Sequence, residues 1–263
     1  MDLSKIKMVV SDMDGTLLNS NHEVSPRFFE QFEILKEKGI QFVAASGRQY
    51  HSMAEKLSPI KDDIIFISEN GALVKKGDEE ISVTPIPSGL QSDLLSIVEN
   101  IAGAHAMLCG KYTSYFDGKS MPFLEQLKEY YASYEIVNDF EAVKDEIVKI
   151  AVYHGQSAEA FIYPKMKHLE DQVKVKVSGQ NWVDLNHKKA HKGNALMKVL
   201  ETFEIQTSEV LVFGDYNNDL EMLALAEYSF AMANAHPNVK RVANFETTSN
   251  DDFGVERILE QLV

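Results

Sequence analysis

The sequence predicts an α/β protein in which a parallel sheet packed with helices carries an inserted α+β module. Short apolar runs alternate with longer amphipathic stretches, the pattern of strands alternating with helices around a parallel sheet. Clusters of Asp, Ser, Asn and Gly follow directly on those runs, and ligands of open parallel sheets bind outside the carboxyl ends of the strands. Residues 84–189 have a different texture, with a proline break, an amphipathic helix and an alternating apolar and charged stretch.

Residues 8–10 read as a strand buried on both faces. Ser25 and Pro26 then open a helix through Phe28, Phe29, Phe32, Ile34 and Leu35, which Gly39 stops. Residues 41–45 form a second strand that ends in a Ser46-Gly47 turn, and residues 64–68 a third that leads into Asn70-Gly71, a strong turn dipeptide. Pro85, Pro87 and Gly89 break the chain before one helical face of Leu94, Leu95, Ile97, Val98 and Ile101. Val173, Val175 and Val177 alternate with Lys174, Lys176 and Ser178 as in a half-exposed antiparallel strand. Lys192-Gly193 opens a helix through Leu196, Met197, Val199 and Leu200, and residues 210–213 and 228–232 are two further strands.

With 26 Lys and Arg against 40 Asp and Glu, the formal charge of −14 disfavours nucleic acid and anionic lipid as partners. Composition is ordinary for a folded chain, with 44% hydrophobic and 25% charged residues, so disorder and rod-like folds are excluded. No apolar run approaches the roughly 20 residues of a membrane span, and residues 1–10 lack the architecture of a signal peptide. The single cysteine, Cys109, suits a reducing compartment, so the expected location is the cytoplasm.

The sharpest local signal is Asp12-Met13-Asp14-Gly15-Thr16 at the end of the first strand. The two carboxylates point the same way if the strand continues and diverge if it turns. The bland alternative is a capping Asp and an Asp-Gly turn. A second strand runs into Gly214-Asp215-Tyr216-Asn217-Asn218-Asp219, which would put Asp215 at the same sheet edge, while Asp219 reads as the cap of a helix burying Leu220, Leu223 and Ala224. Carboxylates crowded there repel by roughly 4 kcal/mol per pair at 4 Å and an effective dielectric of 20. Protons or a divalent cation must offset that, and an oxygen-only donor set favours Mg²⁺. Ser46, Gly47 and Arg48 follow a strand as a small phosphate cradle would, with a plain strand-to-helix turn as the alternative. Lys192 opposes the dipole at its helix N-terminus, a local cost that makes sense beside an anion. His187 and His191 are spaced i, i+4, but no Glu completes a zinc motif.

Together and in this order, these elements resemble the haloacid dehalogenase superfamily of phosphatases and, within it, the Cof-type subclass IIB. Asp12-Met13-Asp14-Gly15-Thr16 is similar to the first motif, Ser46 to the second, Lys192 to the third, and Gly214-Asp215 with Asn218-Asp219 to the fourth. Asn70-Gly71-Ala72, Met232-Ala233-Asn234-Ala235 and the tail with Asp252, Gly254 and Val255 follow secondary signatures of the group. Tyr216 departs from the pattern, standing where many relatives have glycine, which poses the question of crowding in the metal loop.

The resemblance implies a Rossmann-like, doubly wound core from residues 1–83 and 190–263, with residues 84–189 as a type-two cap. It implies an Mg²⁺-dependent phosphatase that hydrolyses a small phosphate monoester (a sugar phosphate, nucleotide or cofactor phosphate) through an aspartyl-phosphate. Asp12 would be the nucleophile and Asp14 the general acid and base. Asp12, the Asp14 backbone carbonyl and Asp215 would hold Mg²⁺, and Ser46, Lys192, Asn218 and the amides of Met13 and Gly47 would hold phosphate oxygens. Thr16, Arg48, Asn70, Asp219 and Asn234 are secondary candidates, and Lys111, Tyr112, Tyr115, Asp184 and His187 are polar residues of the cap that could meet a leaving group. A hexose phosphomutase shares this core and cap type. A phosphoryl-accepting signalling module is the alternative of another class, although such modules are about half this length.

Overall fold

Both ends of the first helix follow from the residues that flank it. Ser25 Oγ accepts a hydrogen bond from the Phe28 N–H at 3.1 Å, and Pro26 fills the first turn, where its missing N–H costs nothing. Gly39, with φ at +73°, takes the left-handed conformation that ends the helix. The apolar face between these ends carries Phe28 and Phe32, whose rings lie 4.9 and 6.4 Å from that of Phe42 on the sheet.

The computed structural model describes residues 3–131 and 133–263; Met1 and Asp2, within the run read for a signal peptide, lie outside them. The chain divides into two compact units, Met1–Ser82 with His191–Val263, and Val83–Ala190. In chain order, the strands and helices begin with β1 (Met8–Asp12), α1 (Pro26–Glu37), β2 (Gln41–Ala45), α2 (Tyr50–Lys56), β3 (Ile65–Ser68), β4 (Leu73–Lys76) and β5 (Glu79–Val83). There follow α3 (Ser88–Glu99), β6 (Ala104–Gly110), β7 (Ser114–Phe116), α4 (Met121–Tyr130), β8 (Tyr134–Ile136), β9 (Ile147–His154), α5 (Ala158–Phe161), α6 (Tyr163–Met166), β10 (Val173–Gly179) and β11 (Trp182–His187). The chain ends with α7 (Lys192–Thr202), β12 (Val210–Gly214), α8 (Leu220–Leu223), β13 (Tyr228–Ala231), α9 (Pro237–Val242), β14 (Phe245–Glu246) and α10 (Gly254–Leu259).

The first unit's sheet runs β14-β13-β12-β1-β2-β3-β4-β5. Its six strands from β14 to β3 are parallel, and β4 turns back antiparallel on β3. Taken in chain order the parallel strands have the 3-2-1-4-5-6 arrangement of a doubly wound sheet, whose order reverses between β1 and β12. Outside the carboxyl ends of those two strands lies the crevice where such folds bind ligands. Residues 8–12 are all buried, as a central strand with two parallel neighbours requires.

The second unit's sheet runs β10-β11-β9-β6-β7-β8 and is antiparallel except where β8 joins β7. Leu108, Ile150, Val152, Val183 and Leu185 pack on one face with Leu94 and Val98 of α3; Met107, Cys109, Phe116 and Ala151 pack on the other with Phe123 and Leu127 of α4. The 173–177 stretch is the edge strand β10, with Val173 buried and the following residues half-buried. Its alternation is softer than the sequence pattern because an edge strand leaves its lysine stems partly covered.

Ser25 also ties the start of α1 to α10, since its hydroxyl donates to the buried Glu256 of α10 at 2.5 Å. Ser25→Ala removes a helix cap and a donor to a buried carboxylate at once. It is expected to lower stability by about 2 kcal/mol, read as a shift of the denaturant midpoint at unchanged slope.

Candidate active site

β1 carries its last buried residue, Asp12, to the sheet edge beside Ala45 of β2, and the chain then turns at Met13. The turn separates the two carboxylates of the first motif. Asp12 stays in the crevice and is buried, whereas Asp14 leans outward with 41% of its side chain exposed.

Lys192, the first residue of α7, is buried completely and reaches into the same crevice. Its Nζ donates to Asp12 Oδ1 at 2.5 Å and to Asp219 Oδ1 at 2.7 Å. Burial alone would lower the ammonium's pKa, but the two carboxylates outweigh it and hold the lysine above its ordinary value. Burial pushes the Asp12 carboxyl well above the usual carboxylate range, with Asp219 and Asp215 adding to the rise and Lys192 opposing it.

Asp219 is where the structure corrects the sequence reading. It does occupy the position before α8, but its side chain makes no hydrogen bond to that helix. Oδ2 instead accepts from the N–H groups of Asp215 and Tyr216, at 3.0 and 3.1 Å, while Oδ1 takes the lysine. The side chain thus folds back to fix the Asp215 loop. Gly214 permits this, since a Cβ there would lie 2.7 Å from that of Asp219. The α8 face also differs, burying Met222 and Leu223 while Ala224 is exposed.

Asp215 is seated by the first motif. Thr16 Oγ1 donates to its Oδ1 at 3.3 Å, and a Cβ on Gly15 would fall 2.3 Å from its Oδ2, so only glycine, here at φ +78°, fits. Burial first, and Asp219 second, raise the Asp215 carboxyl to about 6, against Lys192 and Thr16. Asp14 has the opposite balance. Burial works against its charge, but hydrogen bonds from Arg48 Nε and Nη2 at 2.7 and 2.6 Å, with His22 alongside, bring its pKa below the ordinary value.

The Ser46 hydroxyl accepts the Arg48 N–H at 3.1 Å in the turn after β2, and a Cβ on the neighbouring Gly47 would press the Asn70 amide at 3.1 Å. Asn218 donates to Asn70 Oδ1 at 3.1 Å, which joins the fourth motif to the loop after β3. Asn234 donates to the Gly15 carbonyl at 2.8 Å and so braces the first motif from behind. Met13 is buried against the sheet. Tyr216 does not crowd the loop, because its ring is 53% exposed and meets His236 edge-on at 5.7 Å. Among the cap candidates, Lys111 pairs with Glu146 at 2.9 Å, the Tyr115 hydroxyl donates to Asp145, Asp184 is buried, and His187 accepts from the Lys189 N–H.

His22 escaped the sequence reading, and His191, weighed there only as half of a zinc pair, has another role. His22 lies with Nδ1 3.4 Å from Asp14 Oδ1, on a polar turn that carries no pattern. His191 caps α7 by accepting the Asn194 N–H, a role usually taken by Ser, Thr, Asp or Asn.

Asp12, Asp215 and Asp219 each offer an oxygen within 4.8 Å of the others. With all three carboxylates ionised beside the one ammonium, the cluster would carry two net negative charges, which a divalent cation would balance. Asp12 Oδ2 is buried and receives no hydrogen bond, as an oxygen reserved for such an ion would be. Both Asp219 oxygens are already engaged, so Asp12 and Asp215 are the carboxylates that fit the ion, with Asp219 as their support. The Asp14 carboxylate lies outside this cluster; only its backbone carbonyl was expected to serve.

A family model described as haloacid dehalogenase-like hydrolase matches residues 9–259. The chain is 29% identical over 261 residues to the Escherichia coli (strain K12) 5-amino-6-(5-phospho-D-ribitylamino)uracil phosphatase YbjI, covering 98% of this chain and 96% of that one. It is 31% identical to the crystal structure of SMU.1108c from Streptococcus mutans UA159, with a TM-score of 0.84 and 98% of each chain covered. It shares the fold of the subclass IIB sugar phosphatase BT4131, with a TM-score of 0.81 at 22% identity, covering 97% of this chain and 98% of that one. The chain belongs to the haloacid dehalogenase-like hydrolases, as an enzyme of the phosphatase class.

A carboxyl raised in the folded protein binds protons there that the unfolded chain releases, so its contribution to stability falls as pH rises between the two values. For Asp215 that window runs from its ordinary 3.8 to about 6. In metal-free protein, the melting temperature of Asp215→Asn relative to wild type should therefore climb across this window. Parallel curves for the two proteins would contradict the raised value.

Proposed function

We propose that the enzyme hydrolyses a small phosphate monoester through a phosphoryl group carried on Asp12. The observation that supports this best is the convergence of Asp12, Lys192, Asp215 and Asp219 at the reversal point of the sheet. Asp12 attacks phosphorus, the bond to the leaving oxygen breaks, and Asp14 gives that oxygen a proton. Asp14 then takes a proton from the water that cleaves the acyl-phosphate, which restores both residues. Lys192 offsets charge at Asp12 and on the phosphoryl oxygens, and the Ser46 hydroxyl, with the amides of Met13 and Gly47, hydrogen-bonds the same oxygens. Asn218, expected on the same oxygens, donates to Asn70 Oδ1 at 3.1 Å and would be held by it at the rim of this cradle.

Asp12, Asp215 and the Asp14 carbonyl would hold a divalent cation, and oxygen ligands alone suit Mg²⁺. When bound, the ion would supply the positive charge that keeps Asp12 ionised despite its burial and draws the phosphate in.

The substrate is a sugar phosphate, nucleotide or cofactor phosphate. The ester for which the Escherichia coli relative is named is the first compound to assay. A cytoplasmic location belongs to the same proposal, on the strength of the single, buried Cys109; among the described residues no helix is long and apolar enough to cross a membrane.

Purified protein should release phosphate from p-nitrophenyl phosphate with Mg²⁺ and stop when EDTA is added, and equal turnover in both conditions would rule out the metal. Asp12→Asn should fold and keep less than about a thousandth of the activity. A variant retaining most of it would point to another nucleophile.

A further inference from the structure

Arg48 makes more contacts than a phosphate-site turn needs. Its guanidinium meets Asp14 with two arms, Nε to Oδ2 at 2.7 Å and Nη2 to Oδ1 at 2.6 Å, the planar fork that fits a carboxylate. The arginine is itself anchored. Its N–H donates to Ser46 Oγ at 3.1 Å, its carbonyl accepts the Glu69 N–H at 3.0 Å, and Nη1 donates to Ser52 Oγ at 3.4 Å.

Asp14 has little else to hold it. It sits on the turn after β1, its side chain is 41% exposed, and the other side chain at its carboxylate is His22, with Nδ1 at 3.4 Å and itself 62% exposed. A carboxylate with two free torsions on an exposed turn must still come within about 3 Å of the oxygen it serves.

We propose that Arg48 is a positioning residue for the phosphatase reaction, fixing the Asp14 carboxylate for proton transfer to the leaving oxygen without itself holding the transferred phosphoryl group. This rests on the reading of Asp14 as acid and base given above. The two arms explain the choice of residue: both Asp14 oxygens are held while the carboxylate is ionised, and the arm on the oxygen that takes the proton must release while the other keeps the side chain tethered. A lysine at this position would keep the charge and lose the fork.

A leaving group's need for a proton separates this role from phosphate binding. p-Nitrophenolate departs without protonation, whereas an alkoxide does not, and kcat/KM reports the steps through its departure. The experiment compares kcat/KM for p-nitrophenyl phosphate with that for the alkyl phosphate the wild-type enzyme turns over fastest in a panel of sugar and polyol phosphates. Arg48→Ala should lower the alkyl-to-aryl ratio by about tenfold or more, Asp14→Asn by at least as much, and Arg48→Lys should fall between Arg48→Ala and wild type. Equal loss on both substrates in Arg48→Ala, with Asp14→Asn still selective, would put Arg48 on the phosphate or in the fold alone and overturn the proposal. If Asp14→Asn is not selective either, the acid–base reading of Asp14 fails and takes the proposal with it.

Discussion

The site depends on one buried cation. Lys192 stands at the head of α7 with no solvent to hydrate it, and its ammonium is tolerable there only because Asp12 and Asp219 flank it at 2.5 and 2.7 Å. Asp12 ends β1, and Asp219 precedes α8 in the segment that follows β12. The pairing therefore requires three parts of the core to close on one point. Removing the lysine would leave two buried carboxylates uncompensated, and such losses typically cost about 3–5 kcal/mol.

That interaction also sets what remains available for chemistry. Lys192 occupies one oxygen of Asp12 and leaves the other buried without a hydrogen bond. Asp219 spends both oxygens on the lysine and the Asp215 loop, so it shapes the site without being open to a ligand. Asp215, released by Gly15 and steadied by Thr16, supplies the second open carboxylate. In a chain of net charge −14, the crevice can attract a phosphate only after this local excess of negative charge is reversed. Three carboxylates beside one lysine are thus less a repulsive defect than a socket with a defined shortage of positive charge.

Much of this was legible in the sequence because strands buried on both faces are continuous apolar runs with polar ends. Residues 41–45 match β2, and Ser25, Pro26 and Gly39 mark the limits of α1, since caps and stops are local chemistry. Asp12 and Asp215 could be placed at one edge because each stands at the end of such a strand, whereas Lys192 opens a helix and was joined to them only through the family resemblance. Asp219 could not be read correctly. An Asp before a helix is ordinarily its cap, and only tertiary packing against Gly214 and Lys192 turns it back. The divergence of Asp12 and Asp14 was likewise undecidable until the turn at Met13 was seen. His22 had no signal at all, since its place beside Asp14 depends on the path of a polar loop.

The proposed chemistry requires Asp12 to receive the phosphoryl group. Acid quenching during turnover, followed by mass spectrometry of the peptides, tests that claim directly. One phosphoryl group should appear on the peptide that contains Asp12, labile at neutral pH and absent from Asp12→Asn. Phosphate on another residue, or turnover with no phosphorylated peptide under conditions that trap acyl-phosphates, would contradict it.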